Sequence, residues 1–166
     1  MKQGATLTLL CGIIVFMSSC ASLSSHDEHR IDVIYGGEFA GDDYGLNTFK
    51  GTYVKQVAEK PYPSIPMHLT AEEEQRLIDT VNDVDFWTVP EKLEDQNFKH
   101  PIDPGLWHLR IKMGSHDKTV WWHYQNWTTP ETFRVYRLAR MLNQIIWGKP
   151  EYFTLPGTQP VPARKD

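Results

Sequence analysis

Apolar residues recur along this chain at two spacings, and the places where one gives way to the other mark its elements. Leu77, Ile78, Val81 and Val84 stand at intervals of a helical turn, which puts them on one helix face. Thr70-Ala71-Glu72-Glu73 precedes them as a capping box, in which Thr70 and Glu73 satisfy each other's free backbone donors. The spacing predicts a helix that begins after Thr70 and stops near Asp85. A longer stripe of Phe133, Val135, Leu138, Met141, Leu142, Ile145 and Ile146 predicts a second helix. It has Thr129 as N-cap, Pro130 at its first position and Glu131 near its positive end, and Gly148 and Pro150 end it.

Elsewhere the spacing is that of strands. Ile31 to Tyr35 reads as a short strand, and "GGEFAGDDYG" (36–45) as a wide turn with Phe39 tucked inward. "LNTFKGTYVKQVA" (46–58) is strand-like, with Gly51 as a turn or bulge, and a proline-punctuated link leads from it to the first helix. Residues 88–105 read as a long polar loop. "LWHLRIKM" (106–113) and "KTVWWHY" (118–124) then form two strands joined by "GSHD". Alternation places Trp107, Leu109, Ile111 and Met113 on one face of the first, and His108, Arg110 and Lys112 on the other. In its partner Val120, Trp122 and Tyr124 oppose Thr119, Trp121 and His123. Matching the apolar faces requires paired positions whose numbers sum to an odd value. A connection of about four residues pairs His108 with His123 and Arg110 with Trp121. The order β-β-β-α-β-β-α predicts an α+β fold, a mostly antiparallel sheet of about five strands with two helices on one face.

The N-terminus breaks from this pattern. Lys2 is followed by an apolar run from Ala5 to Met17, roughly a dozen residues, short of the ~20 that cross a hydrocarbon core. A charged start, a short apolar centre and the small exit Ser18-Ser19 make a secretory signal peptide over residues 1–19. Cys20 comes next. The other cysteine, Cys11, lies inside the apolar run and leaves with it, so Cys20 has no intramolecular disulfide partner. Met17-Ser18-Ser19-Cys20 resembles the lipobox of bacterial lipoproteins, with Met17 where leucine is commoner. The resemblance implies diacylglycerol on the Cys20 sulfur, cleavage before Cys20 and a third acyl chain on the new amino group. Ala21, rather than an aspartate, follows the cysteine; among such lipoproteins this implies export to the outer membrane, with the domain facing the periplasm.

Residues 20–30 form a polar tether, residues 31–150 one domain and residues 151–166 a proline-rich flexible tail. Extended at ~3.3 Å per residue, the tether would lift the domain about 30 Å from the bilayer. Loss of the leader removes Lys2 and no acid, leaving a formal charge of −5. There is no basic block of the kind that binds nucleic acid.

The glycine-rich stretch lacks the Lys-Ser/Thr of a phosphate loop, and its adjacent Asp42 and Asp43 lack the alternation of a calcium loop. It also looks like glycine-aromatic-glycine segments of envelope lipoproteins, a likeness that implies no activity. Glu72, Glu73 and Glu74 are the acidic first turn of a helix, set against its dipole. His108, Arg110, Trp121 and His123 make the better candidate, a cationic, aromatic patch on the sheet face away from the helices, suited to an envelope protein or glycan partner. Two histidines fall short of the three or four ligands of a zinc site, and no cofactor is implied. Neither G-x-S-x-G nor a free cysteine offers a nucleophile. The reading is a binding or structural envelope lipoprotein without catalysis. The alternative is an envelope hydrolase with His108 and His123 as an acid-base pair, joined by Asp103.

Overall fold

A computed structural model describes residues 30–39, 42–93, 106–123 and 129–157. The leader, Cys20, Asp103, Tyr124 and most of the tether lie outside the described residues. The elements are β1 (Ile31–Phe39), β2 (Asp42–Asn47), β3 (Thr52–Val54), β4 (Ser64–Pro66), α1 (Ala71–Asp83), β5 (Lys92–Leu93), β6 (Leu106–Met113), β7 (His116–His123) and α2 (Pro130–Gly148). The strands form one seven-stranded sheet in the order β4-β3-β2-β1-β6-β7-β5. Every neighbouring pair is antiparallel except β5 with β7.

The α+β class follows the expectation, but the sheet has seven strands and one parallel pair rather than about five strands. The two unforeseen strands are the sheet's outer edges: β4 arises inside the proline link and β5 inside the polar loop. Neither is longer than three residues, too short for an alternating period to be read. An edge position also tolerates Pro66, because its missing N–H need not meet a neighbour.

The wide turn over 36–45 is not what forms. β1 runs straight through Gly36 and Gly37, β2 returns from Asp42, and the hairpin closes with Phe39 opposite Asp42. The glycines serve close approach instead of reversal. Gly36 lies opposite Gly45, and a Cβ on Gly36 would fall 1.8 Å from the Tyr44 carbonyl oxygen. Reversal between β2 and β3 falls to Gly51, at φ 63°, where a turn or bulge was expected.

In the β6–β7 hairpin the odd-sum rule holds and the register does not. His108 lies opposite Trp121, Arg110 opposite Thr119 and Leu106 opposite His123, a slip of two residues from the expected pairing. The connection is only Gly114-Ser115, between Met113 and His116. Gly114 has φ 56°, which suits the first central position of a two-residue hairpin turn whose twist matches that of the strands. His116 and Asp117, expected in the connection, therefore belong to β7.

Both helices begin where their caps predict. Thr70 Oγ1 accepts from Glu73 N–H at 3.2 Å while Glu73 Oε2 accepts from Thr70 N–H at 2.8 Å. Thr129 and Thr132 repeat the arrangement on α2. Glu73 also holds Lys149, just past the end of α2, and Arg137 on α2 holds Asp83 at the end of α1. These two ion pairs join opposite ends of two antiparallel helices. Burial opposes the charge on Glu73, but hydrogen bonds from Lys149 and from the Thr70 backbone outweigh it and bring its pKa below the usual carboxylate value.

Both helices pack on the same sheet face. Val33, Leu109, Ile111 and Val120 from the sheet meet Leu77 and Val81 of α1 and Leu138, Leu142 and Ile146 of α2 in one buried cluster. Each such side chain contributes about 1.5–3 kcal/mol. Phe133 departs from the expected stripe and is exposed: it projects on the far side of α2, beside Tyr136 and Arg137. Beyond α2, a 3-10 turn over Pro150–Thr154 brings Tyr152 against Tyr53, and Leu155 is buried. The packed domain thus reaches into the segment expected as tail.

Candidate functional site

Opposed positions on neighbouring strands share a face, so His108, Arg110, Trp121 and His123 all stand on the sheet face away from the helices. They do not converge as expected. His108 and His123 are diagonal neighbours two positions apart, and Arg110 is not opposite Trp121. Arg110 instead donates to both carboxylate oxygens of Asp117, at 2.9 and 2.7 Å. Its guanidinium lies 5.2 Å from the centre of the Phe49 ring. Asp117 holds the Arg110 pKa up, and Arg110 in turn holds Asp117 below the usual carboxylate range. The cation is already matched, which removes most of its use as an anchor.

His108 is buried because the Trp121 ring covers it, with centroids 4.7 Å apart. Its Nδ1 has no hydrogen-bond partner among the described residues. Burial lowers its pKa from the ordinary 6.5, against the pull of Asp43 and Glu38, which favour the charged ring. A lowered pKa means the unfolded chain takes the proton first. Stability should therefore hold above about pH 6.5 and fall as the pH drops toward the folded value. Denaturation midpoints at pH 8 and pH 5 check this: wild type should lose stability over that interval, and His108→Leu should lose markedly less. Equal losses in both would show that His108 is not held neutral by the fold.

The other sheet face carries a feature that the strand pattern alone did not disclose. On the ladder Gly37, Trp107 and Trp122 form one row, and Tyr53, Leu46, Tyr35 and Leu109 the row beside it. The Tyr44 ring lies over Gly37, where a Cβ would meet its hydroxyl oxygen at 2.4 Å, and stands edge-on to Trp107 at 5.7 Å. Trp107 packs 5.7 Å from Tyr35 and 6.5 Å from Trp122, ring centre to ring centre. Tyr35 and Trp122 are almost fully buried, whereas Trp107 and Tyr53 are half-buried.

Beside them α2 presents Tyr136, Asn143 and Trp147, with Arg140 and Gln144 on its outward ridge, where they border both this cleft and the groove next to Phe133. The two surfaces enclose a cleft of about 900 Å³. Tyr35 and Trp122 make its floor, Trp107 and Tyr53 its sheet-side wall, and Arg140, Gln144 and Trp147 its exposed rim. Asn143 donates to the Tyr35 hydroxyl at 3.0 Å, tying the helix to the floor. The Tyr53 hydroxyl is pushed up to about 12, by burial first and then by Tyr152 and Tyr44, so it keeps its proton at any physiological pH. Among the described residues of the lining none is acidic.

No serine, threonine or cysteine stands among the described residues of the cleft lining. Among the described residues no group of three or more His, Cys, Asp or Glu is placed to hold a metal ion, and no helix is long and apolar enough to cross a membrane. The cleft had one signal in the sequence, the aromatic and amide stripe from Tyr136 to Trp147. Its meaning depends on what lies opposite, which periodicity does not say. Comparison with protein-family models, curated proteins and solved structures finds no match for this chain.

Proposed function

We propose that this chain is a bacterial envelope lipoprotein, anchored at the outer membrane through lipid on Cys20. Its periplasm-facing domain binds a ligand in the cleft between the sheet and α2 and performs no chemistry on it. The anchor rests on the lipobox likeness of Met17-Ser18-Ser19-Cys20. The binding role rests on one observation: aromatic rings from four different strands and one helix converge on a single cleft with amides and one arginine. Such a concave, largely aromatic surface with a few placed polar groups is the usual form of a ligand site. It stands on a sheet and a packed helix, so little order need be gained when the ligand binds. The hydrolase alternative has weaker support, since His108 is buried under Trp121 and sits diagonal to His123.

Intact cells fed a fatty-acid probe test both halves of the proposal. Wild type should take up the probe and form crosslinks to an envelope component. Cys20→Ser should take up none and accumulate as the unprocessed precursor with its leader attached. A Trp147→Ala, Arg140→Ala double variant alters only exposed rim positions; it should be labelled normally but lose its crosslinks. Labelling of Cys20→Ser at the wild-type level would end the lipoprotein reading. Unchanged crosslinks in the rim variant would end the assignment of binding to the cleft.

A further inference from the structure

We infer that the ligand of the cleft is a saccharide chain bearing carboxylates, an inference that rests on the binding role proposed above. Three properties of the lining converge on that class. Sugar rings present flat C–H faces that pack on aromatic rings, and the accessible rings here are Trp147, 55% exposed at the rim, and the half-buried Trp107 and Tyr53. Sugar hydroxyls donate and accept at once, so they need partners of both kinds. The amides of Asn143 and Gln144 each supply a donor and an acceptor, and Tyr53 keeps its hydroxyl proton. Arg140 completes the set. It is an exposed cation with no carboxylate among the described residues of the lining, in a mature chain of formal charge −5, and its planar fork matches a carboxylate in two hydrogen bonds.

Other occupants fit less well. An acyl chain would set the Tyr53 hydroxyl against hydrocarbon without a partner of its own kind. A cationic ligand would meet Arg140, with no counter-charge among the described residues of the lining. A cleft of about 900 Å³ also has room for several linked rings.

Two tetrasaccharides of equal length test the inference on the full chain in detergent: a hyaluronan tetrasaccharide, acidic at alternate rings, and neutral N-acetylchitotetraose. Binding is read by calorimetry and by tryptophan fluorescence. Wild type should bind the acidic chain at least tenfold more tightly than the neutral one, and added salt should narrow the gap. Arg140→Gln should weaken the acidic chain about tenfold and leave the neutral one unchanged. Trp147→Ala should weaken both, with its denaturation midpoint near that of wild type. Equal affinity for both chains in wild type, unmoved by Arg140→Gln, would overturn the charge selection. If neither chain binds while the envelope crosslinks still depend on the rim, the saccharide inference fails and the binding role stands. If neither chain binds and the crosslinks ignore the rim, both fail.

Discussion

Trp122→Ala should cost the domain about 3–5 kcal/mol, whereas Trp121→Ala, one residue away, should cost about 1–2 kcal/mol. The contrast follows from the face each ring occupies. Trp122 is 3% exposed and belongs to the core cluster, where it packs under Trp107 and forms part of the cleft floor. Its removal leaves a void that the sheet and α2, tied together by the Asn143–Tyr35 bond, cannot close. Trp121 lies half-buried on the opposite face, covering His108. Truncating it uncovers the imidazole, which relieves the desolvation of that ring and offsets part of the lost contact. Denaturant midpoints with unchanged slopes would measure both. Comparable losses in the two variants would mean that the inward and outward faces of β7 have been misjudged.

Gly45→Ala should be nearly as damaging, at about 2–6 kcal/mol, although it adds a single methyl group. Gly45 has φ 123°, a backbone conformation that side chains rarely adopt, and a Cβ there would lie 2.1 Å from the Tyr35 carbonyl oxygen. Overpacking contributes roughly 1–3 kcal/mol and the backbone conformation about 1–3 more. Gly148→Ala is the control. Gly148 is exposed at the end of α2, and a Cβ there meets nothing within 4 Å, so that variant should be no less stable than wild type and up to about 1 kcal/mol more stable. A Gly45→Ala protein as stable as the control would show that β1 and β2 do not approach each other closely.

The elements legible in the sequence are those whose cause is local. The two helices start at Thr70 and Thr129 because each cap satisfies donors within three residues of itself. The buried and outward faces of β6 and β7 follow from alternation alone, since a pleated strand turns every second side chain the same way. The lipobox likeness is likewise a string of adjacent residues. What tertiary structure decided are the pairings between segments distant in the chain. The β6–β7 register obeyed the parity that burial imposes but was set by the two-residue turn at Gly114, and parity cannot distinguish one even slip from another. Gly36, Gly37 and Gly45 read locally as a turn; only the opposing strand shows that they are places where a Cβ has no room. The candidate patch of His108, Arg110, Trp121 and His123 was correctly placed on one face, yet Asp117 and Phe49 had claimed Arg110, and the Trp121 ring had covered His108. The cleft was the least legible of all. Its tyrosines and tryptophans come from Tyr35 to Trp147, and those of the strands each alone read as core. They become a site only because α2 and the sheet together border one cleft, and that juxtaposition is a property of packing between elements, which no local spacing encodes.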